Sequence, residues 1–168
     1  MNKKDFIEII KDNKGILYKV IFTYCKNPED KKDLEQEIVI HLWRSMKSYK
    51  EEYKLSTWIY KVAMNVSISF YRSSEKRNKD VSLEEKHIFE LETPEDDYYE
   101  VDPKKILLRK FIKELDEFNK AVIVLYLENY SYKEISKIIG ITETNVATRI
   151  SRIKKALKIK FNQNKTLV

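Results

Sequence analysis

Between Asn145 and Lys155 the chain sets amides, hydroxyls and cations along one stretch: Asn145, Thr148, Arg149, Ser151, Arg152, Lys154 and Lys155. Such groups donate to phosphate oxygens and to the acceptor edges of bases, so the chemistry they suit is reversible binding of duplex nucleic acid. Trp58, Lys61, Asn65, Ser69 and Arg72 follow at steps of 3, 4, 4 and 3, the spacing of one helix face. An aromatic among amides and cations suits single-stranded nucleic acid, whose bases stack while cations track the backbone. The alternative is that Trp58 lies half-buried against Tyr49 or Tyr53 and the rest is solvated. Asp33, Glu35, Gln36 and Glu37 form an acidic and amide cluster fit for a basic protein surface, or for solvent alone. Covalent chemistry finds little here. Cys25 is the single cysteine, and His41 and His87 are too few and too dispersed for a triad or a metal site.

Helices must hold these groups. Ser131 and Glu134 stand in the S-x-x-E spacing of a capping box, which fixes a helix start. Ile135, Ile138 and Ile139 give that helix its apolar stripe, and Gly140 falls where a left-handed residue must turn the chain. Ile141 can plug the corner and Thr142 can cap a second helix, whose stripe is Val146, Ile150, Ile153 and Leu157. Together they predict a helix-turn-helix with a basic second, recognition helix. Ahead of it, Asp102-Pro103 opens a helix to Glu114, and a further helix spans 118–128. Ile106, Phe111, Val122, Leu125 and Tyr126 are expected to form the platform beneath.

In the N-terminal part, 5–11 and 16–25 read as short amphipathic helices separated near Asn13 to Gly15. Pro28 starts a third, running to Met46, with Leu34, Ile38, His41, Leu42 and Trp43 turned inward. A fourth, 56–72, places Ile59, Val62, Ala63, Val66 and Phe70 in the core, opposite the Trp58 stripe.

Only two Gly and three Pro in 168 residues, 36% charged residues and no long alternating run predict an all-α chain. No apolar stretch approaches the ~20 residues of a membrane span, and the N-terminus lacks a signal-peptide core, so no membrane insertion and a cytoplasmic location are expected. The net charge of +6 is unevenly spread: residues 1–72 carry 14 basic against 10 acidic side chains, 73–103 carry 4 against 11, and 104–168 carry 15 against 6. The expected organisation is two small helical domains, 1–72 and 103–168, joined by an acidic flexible linker, 73–102.

The order of these parts resembles the extracytoplasmic-function (ECF, group IV) sigma factors of bacterial RNA polymerase. Asp33-Leu34-Glu35-Gln36-Glu37-Ile38 followed by Leu42-Trp43 looks like the family's "DLVQEVFLRLW" segment. Residues 56–65, STWIYKVAMN, are similar to its "TWLYRIARN", and ENYSYKEISKIIGITETNVATRISR is similar to its "EGLSYEEIAEILGISVGTVKSRLHR". The chain departs from the family pattern at Val39, Ser69, Asp116, Asn145 and Ala147, which bears on the promoter sequence more than on the activity.

The resemblance implies a sigma factor that binds core polymerase through Asp33, Leu34, Gln36, Glu37 and Ile38. It implies that Trp58, Tyr60, Lys61, Asn65, Ser69 and Arg72 engage the melted -10 element, with the loop 53–57 helping to receive an unstacked base and Lys76, Arg77 and Lys79 extending the basic exit. It assigns Ser131, Tyr132, Thr144, Asn145, Thr148, Arg149, Arg152 and Lys155 to the -35 duplex. No cofactor and no metal are implied; the partners are core RNA polymerase, promoter DNA and an anti-sigma factor. The linker would thread the polymerase's RNA exit path, or else be a solvated spacer. The rival is a plain helix-turn-helix transcription regulator without a sigma role, which accounts for residues 131–158 but not for the two N-terminal surfaces.

Overall fold

The computed structural model describes residues 3–50, 52–79 and 102–165. Its secondary structure there is helical, and the chain divides into two units, α1–α4 and α5–α8. Most of the acidic stretch, including Glu90, Glu92, Glu95, Asp96, Asp97 and Glu100, lies outside the described residues, as do the side chains of Arg77 and Lys79.

The first unit holds α1 (Lys3–Asp12), α2 (Lys14–Tyr24), α3 (Pro28–Ser45) and α4 (Leu55–Lys79). Asn13 alone separates α1 from α2, so Gly15 lies inside a helix. Asn27 caps α3: its Oδ1 accepts from the Asp30 amide at 2.7 Å, and Pro28 occupies the first turn, where a missing N–H costs nothing. Helix α4 packs against α2 and α3. Leu34, Ile38 and Leu42 from α3 meet Ile59, Ala63 and Met64 from α4, all at 0% exposure. Helix α4 continues past Arg72 because nothing in SSEKRNK stops it. Its serines hydrogen-bond back to the helix, Ser73 to the Ser69 carbonyl at 3.1 Å and the buried Ser67 to that of Ala63 at 2.7 Å.

Two inward assignments fail. His41 is exposed, since burial follows the i, i+4 row Leu34, Ile38, Leu42, which drifts by about 40° per step and leaves His41 on the trailing edge. Trp43 is 45% exposed, its ring meeting the buried Phe6 edge-on with centroids 4.9 Å apart.

The second unit comprises α5 (Pro103–Glu114), α6 (Glu117–Leu127), α7 (Tyr132–Ile139) and α8 (Glu143–Lys165). Each start is capped by a side chain. Asp102 accepts from the Lys104 amide at 2.9 Å, Asp116 from the amides of Phe118 and Asn119 at 3.1 and 2.9 Å, and Thr142 from that of Asn145 at 3.2 Å. Ser131 and Glu134 form the full capping box. Val122, Leu125, Ile135, Ile138, Val146 and Ile150 build the core, all at 1% exposure or less. Phe111 joins that core from α5, but Ile106, in the first turn of the same helix, is 51% exposed and no part of the platform.

Gly140 ends α7 with φ of 80°, in open space. An Ala there meets no atom but must take the left-handed conformation, so Gly140→Ala should lower the stability of this unit by about 1–2 kcal/mol, measured as a shift in its thermal transition. Asn129, with φ of 63°, turns the chain after α6 in the same way. Asparagine tolerates this region better than most residues.

Candidate nucleic-acid interface

The residues expected at the three sites lie on α3, on α4 and at the α7–α8 helix-turn-helix. On α3, Asp33, Gln36 and Glu37 are exposed along one side, while Glu35, a rotation of about 200° from Asp33, is exposed on the other. Leu34 and Ile38 are not part of that surface: both are fully buried against the rest of the unit, so they position the acidic face and cannot touch a partner from where they stand. The outer face also carries Ile40, 46% exposed, which together with Trp43 extends the row from Gln36 at steps of 4 and 3. That apolar continuation was legible in the spacing, for neither residue falls on the i, i+4 row that is buried.

On α4, Lys61, Asn65, Ser69 and Arg72 are exposed on one stripe, and Trp58 at its head is half-buried. The indole leans on Tyr49, ring centroids 5.3 Å apart and planes at 50°. Tyr49 in turn donates its hydroxyl to the Tyr53 carbonyl at 2.7 Å, so the 49–53 loop props the indole beside the polar stripe. Tyr60 lies elsewhere. It is 2% exposed, because two residues beyond Trp58 is a rotation of about 200°, which carries it into the core row with Ala63 and Met64.

In the helix-turn-helix, Ser131, Thr144, Asn145, Thr148, Arg152 and Lys155 are exposed, and Tyr132 is 36% exposed with its ring near that of Tyr126, centroids 6.3 Å apart. Ser131 is occupied in its cap, and the Thr148 hydroxyl donates to the Thr144 carbonyl at 2.9 Å. Arg149 is tied to its own unit. Its Nε donates to Asn145 Oδ1 at 2.8 Å, its Nη1 to Asn119 Oδ1 at 2.9 Å, and Asp116 lies at 3.9 Å. Lys154 is likewise turned back, donating to the Tyr126 hydroxyl at 2.6 Å with its ammonium 4.4 Å from that ring. The hydrogen bond raises the lysine's pKa above its ordinary value. Lys160 pairs with Glu114 and fastens α8 to α5. Arg152 and Lys155 are exposed and have no such tie among the described residues.

Among the described residues no group of three or more His, Cys, Asp or Glu could hold a metal, and no helix is long and apolar enough to cross a membrane. Cys25 is buried, its thiol 3.6 Å from the Asp30 carbonyl. The surfaces therefore offer recognition: an acidic face with an apolar end, a polar stripe headed by an indole, and a basic helix following a tight turn.

Two family models match the chain, one in each unit. The family model for Sigma-70 region 2 matches residues 9–77, and that for Sigma-70, region 4 matches residues 105–157. The RNA polymerase sigma factor SigV of Bacillus subtilis is 28% identical over 158 residues, spanning 94% of this chain and 91% of that protein. The ECF RNA polymerase sigma factor SigW of the same organism is 24% identical over 163 residues, spanning 92% and 86%. Among solved structures, the fold is shared with the sigma factor RpoE from Bartonella quintana, in complex with the anti-sigma factor NepR, at a TM-score of 0.72 and 20% identity over 95% of this chain and 98% of that one. It is shared as well with CnrH in complex with the cytosolic domain of CnrY, at 0.66 and 15% over 96% and 90%.

Proposed function

The chain belongs to the extracytoplasmic-function sigma factors of RNA polymerase, and from that premise we propose how its surfaces divide the work of promoter recognition. Residues 1–72 act as the core-binding and -10-reading domain, 103–168 as the -35-binding domain, and 73–102 as the acidic linker. Asp33, Gln36 and Glu37 dock on basic residues of the polymerase, where charge complementarity sets register and speed of encounter. The exposed row Lys61, Asn65, Ser69 and Arg72, with Trp58 at its head, receives the opened -10 strand; stacking of one base on an aromatic contributes roughly 1–3 kcal/mol against the cost of unstacking it. Helix α8 enters the major groove of the -35 duplex and presents Thr144, Asn145, Thr148, Arg152 and Lys155, with Ser131 and Tyr132 at the start of α7 near the phosphates.

Phosphodiester bond formation belongs to the polymerase, and the chain acts where polymerase and chromosome meet, in the cytoplasm. An anti-sigma factor is the expected regulator, since both solved relatives were captured with protein partners. The observation that carries this assignment is the order of three exposed surfaces, α3, α4 and α8, on helices matched by the two sigma-70 regions.

Purified core polymerase, promoter fragments and the protein should reconstitute initiation that is absent without it. Trp58→Ala with Asn65→Ala should still bind core and closed promoter but lose strand opening, read by permanganate reactivity of unpaired thymines. Normal opening by that double variant would remove melting from α4. Retention of specific DNA fragments by a protein that fails to bind core would instead leave a plain regulator.

A further inference from the structure

Asn145 is exposed in the first turn of α8, and its amide is held by a hydrogen bond to Arg149. Arginine carries donors only, so the atom of Asn145 that faces Arg149 Nε at 2.8 Å must be the oxygen. The guanidinium is held at its other end by Asn119 Oδ1, 2.9 Å from Nη1 in a partly buried bond. Asn119 is itself oriented, since its Nδ2 donates to Asp116 Oδ2 at 2.5 Å while Asp116 caps α6. The Phe118 ring, 5.8 Å from the guanidinium carbon, flanks the arrangement. A relay of fixed bonds therefore runs from the cap of α6 to the exposed amide of α8.

We infer that Asn145 reads its base pair as a donor, its amide oxygen being held by Arg149, and so selects guanine over adenine. Asparagine recognises adenine by a two-point contact, accepting from N6 and donating to N7. Here one lone pair of the oxygen is taken, and the other lies beside a guanidinium charge that opposes the approach of another N–H. The outward Nδ2 keeps both protons. Guanine offers O6 and N7 as acceptors in the major groove and suits such a group; adenine and cytosine bring an amino group to it. Arg149 is then a positioning residue for the reader and not a reader itself. This rests on α8 docking in the major groove, as proposed above.

The test uses the full chain assembled with core polymerase and a pool of duplex promoters randomised across the upstream element, with bound DNA sequenced. The intact protein should prefer guanine at the one base pair whose preference Asn145→Ala flattens, by roughly five- to tenfold, the lower range of a single base contact. Arg149→Met should shrink the guanine-to-adenine ratio at that same pair by a similar factor, other positions unchanged, and Arg149→Met with Asn145→Ala should show no preference there. Adenine preferred by the intact protein at that pair would overturn the inference. So would an Arg149→Met variant that loses affinity equally for all sequences, the mark of a phosphate contact or of support for the fold. If Arg149→Met lowers the melting temperature, the comparison with Asn145→Ala decides alone, because Ala is favourable at an exposed helix position. Arg152→Ala separates the two levels. A loss of duplex affinity with Arg152→Ala but no changed preference with Asn145→Ala defeats the inference only, whereas unchanged duplex affinity with Arg152→Ala and unchanged preference with Asn145→Ala remove the docking of α8 and the inference with it.

Discussion

Leu34→Ala should lower the stability of the N-terminal unit by about 2–5 kcal/mol, while Asp33→Lys with Glu37→Lys should shift it by no more than about 0.5 kcal/mol and yet lose core polymerase. The contrast follows from neighbouring positions on α3. Leu34 is at 0% exposure, so truncation leaves a cavity among Ile38, Leu42 and the α4 side chains Ile59, Ala63 and Met64. A domain of this size is stable by only about 4–10 kcal/mol, and a loss of that order populates the unfolded unit. Any fall in polymerase binding by Leu34→Ala would then track the fraction unfolded. Asp33 and Glu37 are exposed, so reversing them costs the fold little, but it sets like charges against the basic partner at a cost of several kcal/mol. Thermal melting and core pull-down, measured on both variants, separate the two effects. Unchanged core binding by the charge-reversed protein would remove this face from the interface.

How legible each part was depended on how far the determining contact reaches along the chain. The capping box at Ser131, the turn at Gly140 and the cap at Thr142 involve residues three or four apart, so their types and spacing were enough to place them. The exposed stripe on α4 was legible for the same reason: helical period alone separates Lys61, Asn65, Ser69 and Arg72 from the core row. Tyr60, Leu34 and Ile38 were grouped with their sites because they fall inside motif strings, and a string does not distinguish the two faces of a helix. Rotation by 100° per residue would have sorted Tyr60 away from Trp58. The tie between Arg149 and Asn119 spans 30 positions, and that between Lys154 and Tyr126 spans 28. No local pattern encodes such contacts, which is why Arg149 read as a DNA contact and its ties to Asn119 and Asn145 appear only in the fold.

That sorting of cations has a measurable consequence. Reversing Arg152 and Lys155 to Glu should weaken binding to the -35 duplex roughly a hundredfold at moderate salt, leaving core binding and the melting temperature near those of the intact protein, since both side chains are exposed. The neutral pair Arg152→Ala with Lys155→Ala gives the sharper diagnosis. Removing one cation that neutralises a phosphate should make the slope of log affinity against log salt shallower by about 0.9 on duplex DNA, so removing both should change it by about 1.8, and a smaller change would mark one of the two as a base reader. Lys154→Ala should leave that slope unaltered, because its ammonium is bonded to Tyr126 and faces its own platform. Equal changes of slope for Lys154 and Lys155 would mean that the Tyr126 bond opens on DNA, and the division between structural and DNA-facing cations on α8 would have to be redrawn. A slope unaltered by Lys154→Ala and shallower by about 1.8 for the Arg152, Lys155 pair would assign phosphate binding to the two cations that the fold leaves untied.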